Sequence, residues 1–445
     1  MARAKKEAAL TPEERLQAAL VPDWEWPYKL PKNWCWTTVG AINQYVGISA
    51  DPTKAKNKTF ELYSVPSSAD NYPEIVLGAD IGSTKQSVKK GDVLLCKINP
   101  RINRVWKVSK YTDHSLLASS EWIVIRNSGL ISNYLMWCFR SPYFRGYMLS
   151  NVSGVGGSLM RAQPKFVQGY PVPVPPLPEQ QRIVDRIESL FSKLDEAKEK
   201  AQAVVDSFET RKAAILHKAF TGELTAKWRE EHGVSIDNWK TTRFDSVAAI
   251  RSNLVDPAEY QSFPHIAPDN IEKKTGVLLE YHTIAEDGVT SGKHRFYSGQ
   301  ILYSKIRPYL SKAVVVDFDG LCSADMYPIE AYQNARCLWY YMLSDEFLLQ
   351  ASTAGSRSVL PKINQKELSA LTVHLPTNDR EQEEIARILD ELFDKEQQTK
   401  EAAEVVLDQI DLMKKSILAR AFRGELGTND PSEESAVELL KRTIL

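Results

Sequence analysis

Cysteine is scarce in this chain of 445 residues: five, at Cys35, Cys96, Cys138, Cys322 and Cys337, lie scattered without a Cys-x-x-Cys pair. Such spacing excludes a disulfide framework and points to a reducing compartment, so the expected location is cytoplasmic. Long apolar runs are missing too. Nothing approaches the ~20 residues that span a bilayer, and Met1-Ala-Arg-Ala-Lys-Lys-Glu7 leads into a polar helical stretch, Thr11–Leu20, so no export or membrane role is expected. Catalytic signatures are absent as well. There is no Asn or Asp followed by Pro-Pro-Tyr or Pro-Pro-Phe, Asn99-Pro-Arg being a poor stand-in, and no Gly-x-x-x-x-Gly-Lys-Ser/Thr. The histidines, His114, His217, His232, His265, His282, His294 and His374, lack ligand spacing with cysteine or carboxylate, which leaves no metal site to expect. An enzyme of this length should show one such constellation, so a non-catalytic role is the expectation.

What the chain does have is repetition. The tract from Glu179 to Thr225 returns without a gap, shifted by 202 positions, as Glu381 to Gly427. Both copies open with Glu-Gln (Glu179-Gln180, Glu381-Gln382) and close with Ala-Phe-x-Gly-Glu-Leu (Ala219–Leu224, Ala421–Leu426). The segments ahead of them are related more loosely: Gly91–Pro100 matches Gly299–Pro308, and Pro164-Lys165 is echoed by Pro361-Lys362. With 43% hydrophobic residues the chain can bury more than one core. The order is therefore domain, helix, domain, helix, a pseudo-symmetric device that reads two different things.

The first helix should begin near Pro178, after a proline-rich stretch that cannot be helical, and the second behind Thr377, Asn378 and Asp379 as capping candidates; Gly222 and Gly424 are natural stops. Seam residues in the first copy include Ile183, Ile187, Leu190, Ala201, Val204, Phe208, Arg211 and Ile215. Those in the second include Ile385, Leu389, Glu396, Ala403, Val406, Ile410 and Ile417. Their four–three alternation runs over about five heptads, the mark of a coiled coil. In the antiparallel register that sets Arg211 against Glu396, Phe208 meets Thr399, Ala201 meets Val406 and Val204 meets Ala403. A slip of one heptad would leave Arg211 and Glu396 on apolar surface, which costs more. A pair of that length spans about 60 Å at ~1.5 Å per residue, and duplex DNA is the extended, repeating ligand that two readers at fixed separation would suit.

Charge supports this in its distribution, not in its total. Lys plus Arg number 56 against 57 Asp plus Glu. Between Lys85 and Lys110, however, eight basic residues face one acid, Asp92, and between Lys293 and Lys312 five basic residues face none. One positive patch per domain is the electrostatic footprint of nucleic-acid binding. The candidate DNA-binding residues are Lys85, Lys89, Lys97, Arg101, Arg104 and Lys107 in the first domain and Lys293, Arg295, Lys305, Arg307, Tyr309 and Lys312 in the second. Arg161 and Arg357, which follow the glycine-containing stretches Gly154–Ser158 and Gly355-Ser356, complete the set. Arg101, Arg104, Arg295 and Arg307 are the candidates for gripping guanine in the major groove. Lys97 and Lys305 recur within the shared Gly-x-x-Leu-x-x-Lys-Ile motif, which suits either a phosphate contact or a structural strand residue. The backs of the helices, with Lys198, Glu199, Lys200, Lys400 and Glu401, are either docking surfaces or a solvated face.

Pro176–Ile183 (Pro-Leu-Pro-Glu-Gln-Gln-Arg-Ile) and the two Ile-Leu-x-x-Ala-Phe-x-Gly-Glu-Leu segments resemble the specificity subunit of type I restriction–modification systems, with Thr11-Pro-Glu-Glu-Arg and Leu30-Pro-Lys-Asn-Trp34 extending the likeness. The resemblance implies an α+β fold, two mixed α/β target-recognition domains joined by two long helices packed as an antiparallel, pseudo-twofold coiled coil. It places an N-terminal extension at 1–28, recognition domains at 29–176 and 226–375, the helices at 177–225 and 376–427, and a tail at 428–445. Ala436, Leu439, Leu440 and Ile444 lie at helical spacing in that tail, which would pack near the amino terminus. The implied partners are double-stranded DNA, two adenine methyltransferase subunits and two restriction subunits that translocate and cleave. S-adenosylmethionine, ATP and magnesium would belong to those partners, and no cofactor to this chain. The competing reading is a stand-alone bipartite DNA-binding or regulatory protein without methyltransferase partners.

Overall fold

A computed structural model describes residues 11–153, 160–354 and 361–444. They form two compact units, 1–200 with 406–445 and 201–405, so that each unit owns part of both long helices.

In the first unit, Val93–Cys96 lies between Val105–Lys107 and Trp122–Ile125 in an antiparallel sheet, all four residues of the central strand being buried. Burial on both faces explains its uninterrupted apolar run, Val-Leu-Leu-Cys. A second sheet has the order Ser49–Ala50, Lys85–Ser87, Ser115–Ala118, Thr59–Tyr63, Glu74–Leu77, with one parallel pair at its middle. The second unit repeats the plan. Ile301–Ser304 lies between Ala313–Val315 and Met326–Ala331. Its five-stranded sheet runs Leu254–Val255, Lys293–Phe296, Gly320–Cys322, Pro264–Ile266, His282–Thr283, again with one parallel pair. Two mixed α/β domains joined by long helices are thus present as expected.

The second long helix is continuous, Asp379–Ala421. The first is not: it is expected unbroken, but it runs Leu177–Asp206 and Phe208–Phe220 with a hitch at Ser207. There the Ser207 hydroxyl bonds the Ala203 carbonyl at 2.6 Å, and the Arg211 guanidinium reaches the Val204 carbonyl at 3.2 Å and Ser207 itself. Side chains that compete for backbone carbonyls loosen a helix at that point. Asn378 caps the second helix by accepting the Arg380 N–H at 3.0 Å. Gly222 and Gly424 stop both helices at φ +81 and +73, left-handed values that glycine tolerates.

Within each unit the helix segments run antiparallel. In the first, Lys198 pairs with Asp411 at 3.5 Å and Lys414 with Asp195. In the second, Arg211 pairs with Glu396 at 2.7 Å, as the matched register requires, while Phe208 lies under the Lys400 ammonium, one residue beyond Thr399. A corresponding contact recurs in both units: Lys414 sits 5.1 Å over the Phe191 ring and Lys212 sits 5.5 Å over Phe393. Ile183, Ile187, Phe208, Ile385, Leu389, Ala403 and Ile410 are buried; Leu190, Ala201, Val204, Arg211, Ile215, Glu396 and Ile417 are partly so. Val406, expected on the seam, is 40% exposed. A 3.6-residue helix drifts out of a strict 3.5 repeat, which leaves such positions partly uncovered.

The Glu-Gln openings acquire a physical reason. Glu179 is fully buried; its carboxylate accepts from the Thr428 hydroxyl at 2.7 Å and from Arg182 at 3.1 Å. Glu381, also fully buried, accepts from Thr225 at 2.8 Å, Arg229 at 2.7 Å and the Trp239 indole at 3.1 Å. Each glutamate at a helix start thus grips the threonine just past the end of the other helix. The glutamine beside it ties the helix to its own domain. Gln180 accepts the Ile131 N–H and donates to Pro175, both at 3.0 Å; Gln382 does the same with Asn334 at 3.3 Å and Pro376 at 2.8 Å.

Residues Ala436–Ile444 form a helix whose Ala436 and Leu440 are fully buried in the first unit's core, against Leu16, Ala19 and Leu20 of the amino-terminal segment. Arg182 joins the tail through a two-pronged pair with Glu433, both bonds 2.8 Å. Leu440→Ala is expected to cost about 2–5 kcal/mol of stability in denaturant unfolding; removal of residues 433–445 with no change in the unfolding midpoint would contradict this packing. For the helix pair, Arg211→Glu should lower stability and adding Glu396→Arg should recover it, with a coupling of about 0.5–3 kcal/mol. Additive effects of the two substitutions would show that the pair contributes nothing.

Candidate nucleic-acid interface

The two Gly-x-x-Leu-x-x-Lys-Ile segments build the same local object. Gly91 and Gly299 enter at φ +93 and +84, a buried strand follows, and the chain leaves it through Asn99 and Arg307, both left-handed at φ 50 and 48. Pro100 and Pro308 then open short 3-10 turns, Pro100–Ile102 and Pro308–Leu310, which end at Asn103 (φ 53) and Ser311 (φ 46). Non-glycine residues held in this region cost on the order of 1–3 kcal/mol each and collect at functional sites. Four of the six such residues among those described belong to these two turns.

Backbone bonds hold the turns in place. The Asn99 N–H donates to the Met160 carbonyl at 2.8 Å and the Arg307 N–H to Pro361 at 2.7 Å. Ile98 bridges Arg161, and Ile306 bridges Lys362. These bridges correct the sequence correspondence: the structural counterpart of Lys362 is Arg161, not Lys165, because each is laid against the same isoleucine of the repeated motif. The strained turns present Arg101 and Ile102 in the first domain, Arg307 and Tyr309 in the second, all exposed.

Beside each turn lies one carboxylate paired with the bridged basic residue, and in the second domain with a second one. Asp325 meets Lys362 at 3.3 Å and Lys305 at 3.8 Å; Lys305 also donates to the Ala324 carbonyl at 2.5 Å. In the first domain, Glu121 meets Arg161 at 3.4 Å, and its carbonyl accepts the Lys97 N–H at 3.1 Å. Lys97 and Lys305 therefore end corresponding strands.

The remaining candidates divide by what already occupies them. Lys85 and Lys293 occupy equivalent strand starts and fold their ammonium groups back onto Ser83 and Ser291. Lys293 is buried, which pushes its pKa down. Lys107 donates to Asn133 at 2.6 Å and Lys312 to the Pro268 carbonyl at 2.7 Å. Lys89 is exposed and Arg104 partly so. Arg295 stacks on Tyr260, Phe263 and Tyr297, with its guanidinium carbon 5.4, 5.9 and 4.9 Å from the ring centres. Asp92, the acid of the first patch, is buried and neutralised by Arg126 through bonds of 2.8 and 2.6 Å. Arg357 and both glycine-containing stretches lie outside the described residues. Glu121, Asp325 and two of the aromatic partners of Arg295, Tyr260 and Phe263, carried no sequence signal, since the fold brings them in from distant segments, whereas Tyr297 lies in the basic stretch itself; Lys362 was visible only as half of the Pro-Lys echo.

Among the described residues no group of His, Cys, Asp and Glu could hold a metal ion, and no helix is long and apolar enough to cross a membrane.

A family model described as the type I restriction modification DNA specificity domain matches residues 48–205 and 236–406. The type I restriction enzyme EcoDI specificity subunit of Escherichia coli is 36% identical over 345 residues, covering 73% of this chain and 76% of that protein. The EcoKI specificity subunit of Escherichia coli strain K12 is 24% identical over 333 residues, 68% of either chain. Among solved structures, the HsdS subunit from Thermoanaerobacter tengcongensis matches 90% of this chain and 100% of its own with a TM-score of 0.63 at 20% identity. A chain from a structure concerned with complex assembly and conformational transition of the type I R-M system gives 0.70 at 20% identity, over the same share of this chain. These structural likenesses concern the fold, whereas the family match extends over most of the sequence; the chain belongs to the type I restriction–modification DNA specificity family.

Proposed function

We propose that the chain is the DNA-recognition subunit of a type I restriction–modification complex. It reads a bipartite duplex target, two half-sites with an unread spacer, and scaffolds methyltransferase and restriction subunits. The observation that carries this reading is the pair of equivalent strained turns, one per recognition domain, built on a common frame but presenting different side chains. Two readers of unlike words need a shared mount and divergent tips.

In this reading the domains span 29–176 and 226–375, and they work by positioning and not by bond-making. Arg161 and Lys362, half-exposed and bridged to the turns, anchor phosphates; exchange of Glu121 or Asp325 for a phosphate keeps each cation paired. Arg101 and Arg307, at the tips of the turns, reach base edges. Lys97 and Lys305 set the strand ends, with Lys305 holding the Ala324 carbonyl and Asp325 in place. Adenine methylation, with S-adenosylmethionine, and ATP- and magnesium-dependent translocation and cleavage belong to the partner subunits, in the cytoplasm. A flipped target base would enter the partner's pocket while this chain holds the flanking duplex.

Mapping methylated adenines in a genome expressing this chain with its methyltransferase partner should return one bipartite motif; a methylation pattern without any bipartite motif would refute the reading. Arg307→Ala is expected to relax one base position of one half-site, at about 1–3 kcal/mol of discrimination. Lys362→Ala should instead weaken binding to all sequences alike and reduce the slope of log affinity against log salt by about one. Indistinguishable sequence profiles for wild type and Arg307→Ala would remove the assignment of Arg307.

A further inference from the structure

The five-stranded sheets of the two domains can be compared position by position, because Lys85 and Lys293 start equivalent strands and fold onto equivalent serines. In the first domain the strand register aligns Ser87, Leu117, Leu62 and Glu74 in one row across the sheet. In the second domain the same row holds Arg295, Leu321, His265 and His282. Directly paired residues share a face. The opposite face is the conserved one in chemistry: Phe296, Cys322 and Ile266 join Leu302, Val314 and Met326 in an apolar core, as Val88, Ala118 and Tyr63 join Leu94, Trp106 and Val124. The outer row therefore changes character. In the first domain, Leu62 and Leu117 close it with Phe60 and Ile81 as a small apolar cluster. In the second it becomes basic.

Arg295 is the member of this row free to meet a ligand. Three rings hold its guanidinium as a plane, Nε is shielded from water without a hydrogen-bond partner among the described residues, and the Tyr260 hydroxyl at 3.5 Å is the one side-chain polar contact among them. It makes no ion pair among the described residues, unlike His265 and His282, which share Asp287 at 2.7 and 3.3 Å. A guanidinium stacked on aromatic rings loses little freedom when it forms its paired bonds, which is what bidentate recognition of a planar acceptor pair requires. The strand bearing Leu321 ends at Cys322 and a turn follows to Asp325, the carboxylate between Lys305 and Lys362, so the row lies within about 14 Å along the chain of the phosphate-anchoring cluster.

We propose that Arg295, caged by Tyr260, Phe263 and Tyr297, is a specificity-determining residue of the second recognition domain and grips a guanine through its O6 and N7, while the equivalent Ser87 leaves the first domain without this contact. The proposal rests on the bipartite-reading function given above. The test is selection from a randomised duplex library by the full chain co-purified with its methyltransferase partner, for wild type, Arg295→Lys and Arg295→Gln, alongside thermal melts. Lysine keeps the charge and loses the fork. Both variants should relax preference for guanine at one position of one half-site by about ten- to a hundredfold, with the other half-site and the melting temperature unchanged. Loss of affinity for all sequences alike would make Arg295 a phosphate contact, and an unchanged profile, or a profile lost together with the fold, would make its aromatic cage structural; each overturns the proposal. A wild type that selects no bipartite motif would refute the underlying function, a result distinct from all of these.

Discussion

The buried carboxylate at the head of each long helix is the constraint on which the rest depends. Glu179 and Glu381 are removed from water, and an unpaired carboxylate there would cost several kcal/mol. Each is partnered by a threonine from just beyond the end of the other helix and by an arginine, Thr428 with Arg182 and Thr225 with Arg229, although Glu381 takes its bonds on Oε1 alone. Burial holds the Glu179 carboxyl above the usual range while Thr428 and Arg182 pull it the other way. Because removing one partner leaves the other buried and unmatched, these joints penalise any slip of the helix ends. The neighbouring glutamines carry the constraint outward into each recognition domain, so within each unit the helix end and the attachment of its domain are set by the same Glu-Gln pair.

On this mount the domains separate what is held constant from what varies. The strand that ends in a left-handed residue, the 3-10 turn behind it and the ion pair beside it, Arg161 with Glu121 and Lys362 with Asp325, recur in both. Recurrent strain in otherwise divergent domains is costly to retain, and the backbone bonds from Asn99 to Met160 and from Arg307 to Pro361 show how it is sustained. What varies is Arg101 against Tyr309 at the exposed tips of the turns, and an apolar row against a basic one on the second sheet face. Divergence confined to such positions lets one scaffold carry different readers without renegotiating its core.

Much of this was legible in the sequence. The 202-position repeat, the unbroken helical period from Ile385 to Ile417, the stops at Gly222 and Gly424 and the Arg211–Glu396 match are all consequences of local periodicity or of charge on a predictable face, and each stands in the structure. The hitch at Ser207 was not legible, since it depends on a hydroxyl and a guanidinium choosing backbone carbonyls over solvent. Nor was the pairing of Lys362 with Arg161, because spacing counted along the chain suggested Lys165, whereas strand bridging to Ile98 decided otherwise.

By itself the sequence determined the architecture: period, repeat and turn-forming residues act over a few positions, and copying them twice made two similar mounts unavoidable. Only the tertiary structure decided which charges are available. Lys305 and Lys312 look alike in a basic stretch, yet folding hands their ammonium groups to Ala324 and Pro268, and sets Arg295 against Tyr260 and Phe263 of a separate segment. Whether a cation is occupied or free depends on neighbours brought from far along the chain, and no local pattern encodes them.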